Sequence, residues 1–302
     1  MKVAASGATG LIGARLVQRL KERGDEVTVL SRSPERARQA LGVDAVAWSV
    51  EDEPAPVAAL SGRDGVVHMA GEPVAQRWSG GAKERIRRSR AAGTRNMVAG
   101  LRAADPRPGV LVCSSGVGYY GPRGDDPVDE STPPGDDFLG GVSKEWEDAA
   151  QEAEQLGVRV VRLRTGVVLD KQGGALKKML PPFKAGVGGP VAGGRHYMPW
   201  IHLDDMVGMI LAALGDPRWS GAVNASAPEP VTNAEFSKAL GRALRRPAFA
   251  PVPAIALKLL YGDMSEIVIS GQRAVPARAL ELGYRYEHPD LDEALRAAVG
   301  KS

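Results

Sequence analysis

A single cysteine, Cys113, in a chain of 302 residues leaves no intramolecular disulfide and no cysteine-clustered metal site. A reducing compartment suits such a chain, and no bound metal is expected. No run of about 18 to 20 apolar residues occurs, which excludes a membrane-spanning helix of the usual kind. The first residues, Lys2-Val3-Ala4-Ala5, read as a strand rather than a secretory leader, so a cytoplasmic location is the expectation. An excess of one charge is lacking too. A net charge of +3 is too small over this length to point to nucleic acid, although the sequence pI is about 9.0. The densest basic run, Lys83 to Arg90 (KERIRRSR), reads as the solvated face of a helix. Aromatic residues make up only 5%, so the core has to be built on Val, Leu, Ala and Ile.

What is present is ordinary for a globular protein: 43% hydrophobic and 25% charged residues, enough for one large α/β domain or two modest ones. Short apolar runs alternate with helical patterns. Val3-Ala5, Glu26-Leu30, Ala45-Trp48, Gly65-Ala70, Gly109-Cys113 and Val158-Leu163 read as strands. Between them, helices are predicted over 11–23, 34–41, 82–104 and 141–156. That alternation predicts a parallel sheet wrapped by helices, a doubly wound α/β fold. After Gly166 the chain loosens into a glycine- and proline-rich stretch, with a short helical piece near Ala175 to Phe183. Trp200 to Leu203 reads as extended, with Asp204-Asp205 as an N-cap pair before a helix from Met206 to Leu214. Gly221-Ala225 reads as a further strand, Thr232-Asn233 as the cap of a helix through Leu244, and two more helices follow near 254–260 and 291–299. The expected division is a nucleotide-binding domain over 1–170 and 204–226 and a smaller C-terminal α/β lobe over 171–203 and 227–302.

Gly7, Gly10 and Gly13 fall in the turn SGATGLIG between the first strand and the first helix. A loop there must turn sharply, bring backbone N–H groups to a pyrophosphate and let the helix pack on the sheet, and each demand leaves no room for a Cβ. This predicts a dinucleotide site, with Gly7, Thr9, Gly10, Leu11, Ile12 and Gly13 around the phosphates. A site for NAD places a carboxylate at the end of the second strand, about 20 residues on. Here that end reads Leu30-Ser31-Arg32. A hydroxyl and a guanidinium suit a 2′-phosphate where a carboxylate would repel it, so NADP is the expected cofactor.

With these phrases the chain resembles an extended short-chain dehydrogenase/reductase, more narrowly its atypical NAD(P)-dependent epimerase-like subfamily. The resemblance runs over nearly the whole length: SGATGLIG, SR at 31–32, HMAGEPV at 68–74, SSGVGYYG at 114–121, RTGVVL at 164–169, PWIHLDD at 199–205 and GQRAVPARALELGYRY near the C-terminus. It implies that Met69, Ala70, Gly71 and Glu72 pass beside the adenosine and ribose, that Arg85 and Arg90 lie along the cofactor, and that Val167 sits near the nicotinamide. It also implies a Tyr-x-x-x-Lys pair on one helix face and a Ser or Thr at the preceding strand. Lys144 is the lysine candidate, on the nicotinamide ribose, but the position four before it is Gly140. Gly116 stands where the hydroxyl belongs, with Ser114 and Ser115 just before it. Candidates for the proton are therefore Tyr119, Tyr120, Glu72 and His202, besides the serines.

Two functions remain open at this point. One is an NADP(H)-dependent oxidoreductase or epimerase-like enzyme acting on a small polar substrate, anionic or a sugar nucleotide. The other is a protein that binds NADP(H) without redox turnover, in a sensing or structural role. Lys177, Lys178, Lys184 and Arg195 would suit an anion, and the stretch from Gly186 to Gly194 would form a lid or wall. The chain is expected to be a monomer or a homodimer built on its two long helices.

Overall fold

A computed structural model describes residues 1–300. Among these, seven strands form one parallel sheet: β1 (Lys2–Ser6), β2 (Glu26–Ser31), β3 (Asp44–Ala47), β4 (Gly65–His68), β5 (Val110–Gly116), β6 (Arg159–Thr165) and β7 (Gly221–Ala225), in spatial order β3-β2-β1-β4-β5-β6-β7. The order reverses between β1 and β4, and a crevice opens there at the carboxyl ends of the strands. The helices that position it are α1 (Leu11–Glu22), α2 (Pro34–Leu41), α3 (Gly80–Ala103), α4 (Phe138–Gln151), α5 (Gly174–Lys184), α6 (Leu203–Gly215), α7 (Asn233–Leu244) and α8 (Leu291–Val299). This is the doubly wound fold expected from the alternation of strands and helices.

The strands are apolar on both faces because both faces are covered. On one side Leu16 and Leu20 of α1 and Met206 and Ile210 of α6 pack over Val3, Val29 and Val112. On the other, Met97 and Leu101 of α3 and Trp146 and Ala150 of α4 pack over Ala4, Val66 and Leu111. A third cluster joins α5, α7 and α8 through Leu176, Phe236, Leu240 and Leu295. Thr232 caps α7 as expected, and the structure adds a reciprocal box with Glu235. The segment 277–286, grouped with the lobe by sequence, returns to the first core: Ala279 is buried there, with Leu282, Tyr284 and Tyr286 against it. No helix is long and apolar enough to cross a membrane, among the described residues.

Two local expectations differ from the structure. Strand β5 runs three residues past Cys113, because Ser114 and Gly116 pair with Leu163 and Thr165 of β6, so the serines are strand residues and not a loop. Helix α6 begins at Leu203 with His202 as its cap, the imidazole Nδ1 accepting the Asp204 N–H at 3.2 Å. Asp204 and Asp205 therefore sit in the first turn, where the helix dipole favours carboxylates. Asp205 is fully buried and accepts the N–H groups of Glu287 and His288 at 2.7 and 3.0 Å, which pins the C-terminal segment to α6.

Candidate functional site

The turn from β1 to α1 lies at the crevice, and its glycines are required by close backbone contacts. Gly7 has φ +70°, and a Cβ there would stand 2.7 Å from the carbonyl carbon and oxygen of Met69. A Cβ on Gly13 would stand 2.5 Å from Ala8 Cα and from the Gly7 oxygen. Gly10 is the N-cap of α1, and no side chain of the described residues caps that helix. Its first turn, Leu11-Ile12-Gly13, also carries no acid, so unpaired N–H groups and the positive end of the helix dipole face the loop. Thr9 and Gly10 are exposed, while Leu11 and Ile12 are half-buried. The cradle, the open donors and the missing acid together fit a pyrophosphate.

The neighbouring strand ends complete this pocket. Ser6 of β1 is in register with Leu30 of β2 and with His68 of β4, so Ser31-Arg32 and Met69-Ala70 flank the loop on either side. The Ser31 hydroxyl accepts the Ser33 N–H at 3.2 Å, and Arg32 is exposed with no side-chain partner among the described residues. Arg90 donates to the carbonyls of Glu72 at 2.9 Å and Ile86 at 3.2 Å and lies over the Trp146 ring at 5.0 Å. Burial pulls Arg90 down to about 10, still charged at neutral pH. It thus holds the Gly71-Glu72 turn, whose Glu72 N–H also donates to Ser89 at 2.9 Å. Arg85 is exposed and lies 3.5 Å from the Glu72 carboxylate, so these two charges offset each other at the rim.

His68, which opens the segment HMAGEPV, is a functional position the sequence reading missed. It is fully buried, with Nδ1 2.7 Å from Ser6 Oγ, and desolvation lowers its pKa to about 4. A neutral imidazole therefore ties the two central strands beneath the loop. The available signal was a histidine ending an otherwise apolar strand.

The candidate catalytic side chains do not converge. Lys144 is exposed on α4 and pairs with Asp148 at 2.6 Å. At Gly140, where the resemblance would put the tyrosine of the pair, a Cβ would stand 2.3 Å from the Gly135 oxygen, so neighbouring backbone leaves no room for a side chain. Tyr120 is fully buried; its hydroxyl donates to Asn224 Oδ1 at 2.6 Å and accepts from Arg164 at 3.0 Å. Burial raises its pKa, and both sides of its hydroxyl are taken by Asn224 and Arg164. Ser115 is buried and donates to Glu147 at 2.7 Å. His202 is buried as the α6 cap, and desolvation followed by His288 lowers its pKa to about 4. Of the hydroxyl candidates on β5, Ser114 alone is half-exposed with no side-chain partner among the described residues. Val167 is half-buried beside Pro199, whose carbonyl accepts its N–H at 2.7 Å.

Two further residues missed in the sequence dominate this region. Arg164 and Glu147, each 3% exposed, form a two-pronged ion pair at 2.8 and 2.9 Å. Arg164 also lies 3.5 Å over the Tyr119 ring. The polar cluster at the ends of β5 and β6 is thus satisfied internally.

The sequence profile described as the NAD dependent epimerase/dehydratase family matches residues 4–225. The chain belongs to that family. A second profile, for a domain of unknown function, matches residues 252–298. Relatives at this level include the Arabidopsis thaliana protein "Epimerase family protein SDR39U1 homolog, chloroplastic", 41% identical over 99% of this chain and 87% of its own length. The Homo sapiens "Epimerase family protein SDR39U1" is 37% identical over 99% of this chain and all of its own length. A crystal structure of the human SDR39U1 (isoform 2) with NADPH is similar with a TM-score of 0.89 and 35% identity, covering 100% of both chains. A UDP-galactose 4-epimerase structure shares the fold alone, with a TM-score of 0.75 and 20% identity over 99% of this chain and 97% of that one. Within this NAD(P)-binding family the chain carries a glycine turn after β1, and neighbouring backbone leaves no room for a side chain at Gly140.

Proposed function

We propose that the protein binds NADP(H) and acts as an oxidoreductase or epimerase-like enzyme on a small polar substrate, without the Tyr-x-x-x-Lys proton path. The observation that carries the cofactor is the β2 end, where Arg32, exposed and without a side-chain partner among the described residues, follows Ser31 beside the glycine cradle. The NADPH named with the human relative's structure supports it. Ser114 is the hydroxyl left available to orient a substrate, and Lys177, Lys184 and Arg195 are exposed. Lys178 instead donates to the Ala75 carbonyl at 2.9 Å and braces α5 against the loop after β4.

Arg32→Ala is expected to weaken NADPH about 10- to 100-fold, the worth of a charge-assisted contact, and to leave NADH nearly unchanged. Fluorescence titration with both nucleotides checks this, and equal weakening of the two refutes the 2′-phosphate assignment. The second reading, NADP(H) binding without redox turnover, is favoured by the closure at Gly140. NADPH oxidation followed across a panel of carbonyls and sugar nucleotides separates the two. Turnover that falls in Ser114→Ala supports the first; tight NADPH binding with no turnover anywhere in the panel establishes the second.

A further inference from the structure

Two of the four histidines in this chain, His202 and His288, meet ring to ring, their centroids 3.9 Å apart and their planes at 51°. Asp204 lies against them, and one ligand atom from each of the three residues falls within 4.8 Å of the others. Each is placed by a different constraint. His202 caps α6, and Asp204 stands in the first turn of the same helix. His288 is brought in by the C-terminal segment, which the Asp205 carboxylate holds through the N–H groups of Glu287 and His288. Asp204 is fixed from behind. Its Oδ1 takes Arg15 Nε at 2.8 Å and Nη2 at 2.6 Å, and its Oδ2 lies 3.6 Å from His202 Nδ1.

We propose that His202, Asp204 and His288 bind one divalent transition-metal ion of the zinc or nickel kind, with solvent completing the coordination. Two imidazoles and one carboxylate are a donor set suited to such ions and poorly suited to magnesium or calcium. Ligands at about 2.0–2.1 Å from zinc stand roughly 3.3 Å apart at a tetrahedral angle. His202 Nδ1 and Asp204 Oδ2 are already 3.6 Å apart, and the three donor atoms, all within 4.8 Å of one another, draw in around the ion as the His288 ring tilts away from His202. On binding, Nδ1 exchanges its 3.2 Å contact with the Asp204 N–H for the ion. Arg15, on Oδ1, orients the ligating carboxylate, as outer partners do in metal sites. His202 is buried while Asp204 and His288 are half-buried, so the ion has a protein wall on one side and a water-accessible position on the other. Arg15 belongs to α1, the helix that begins at the nucleotide cradle, so the ion would join α1, α6 and the C-terminal segment at one point.

The test uses the full-length protein without a histidine tag, stripped with EDTA and dialysed, then titrated calorimetrically with zinc and separately with nickel. Saturable binding of one equivalent per chain is expected, with a rise of several degrees in the thermal midpoint. His288→Ala should weaken binding by about 100-fold or more and abolish the rise, because it removes a ligand that supports little else. Asp204→Asn should weaken it at least about tenfold. Cobalt(II) supplies an independent readout, the visible absorption of a tetrahedral site in the wild type and its loss in His288→Ala. Absence of saturable binding overturns the proposal, and so does binding undiminished in both variants.

Discussion

Replacing Gly13 by valine is expected to eliminate measurable NADPH binding and to destabilise the fold by about 1–3 kcal/mol or more. The Cβ would meet Ala8 Cα and the Gly7 oxygen at 2.5 Å, and both are backbone atoms held between β1 and α1. No flexible side chain can give way, so either α1 lifts off the sheet or the loop opens. Each movement carries the N–H groups of the first helical turn away from the phosphates. A graded series checks the cause: Gly10→Ala, whose Cβ stands 3.3 Å from the Gly7 oxygen, should be milder. Gly80→Ala, where nothing among the described residues lies within 4 Å, should be close to neutral. NADPH fluorescence titration and thermal melts report the two effects separately. Wild-type affinity in Gly13→Val would sink the assignment of this loop to the phosphates.

Glu147→Ala is expected to lose about 3–5 kcal/mol, because it strands a buried guanidinium. Arg164 is 3% exposed and donates to both Glu147 oxygens, and its remaining donors reach the Tyr120 hydroxyl and the Glu130 carbonyl. These do not neutralise its charge. The same change removes the acceptor of Ser115 and loosens the junction of β5, β6 and α4. The double variant Glu147→Leu/Arg164→Met should recover much of the loss, since a buried pair is replaced by apolar groups of similar volume. Urea unfolding measures both. A loss below about 1 kcal/mol in Glu147→Ala would show that solvent screens the pair, as it does exposed pairs.

The glycine cradle, the Ser31-Arg32 strand end and the Thr232 cap of α7 were legible in the sequence because each depends on residues a few positions apart. Backbone geometry over such a span follows from local sterics and hydrogen bonding. The Glu147–Arg164 pair was not legible. Arg162 and Arg164 alternate with Val161 and Leu163 along β6, a pattern that also describes a half-exposed edge strand. Only the packing of α4 over that face buries Arg164 and supplies its carboxylate. Tyr120 and Ser115 were misplaced for a related reason: a hydroxyl near a cleft in sequence carries no sign of the direction it faces. Pairing of β5 with β6 as far as Gly116 turned Ser115 toward Glu147 and left Ser114 half-exposed.

The amino-acid sequence by itself determined the doubly wound fold, the family and the tight glycine turn after β1, since periodicity and glycine spacing act within single βα units. Tertiary structure alone decided which distant segments meet. The approach of Gly135 to Gly140 leaves no room for a side chain there, and Asp205 draws His288 against His202. Both arise where segments distant in the chain are forced together by burial and by the need to pair buried polar groups, and no local pattern records such a contact.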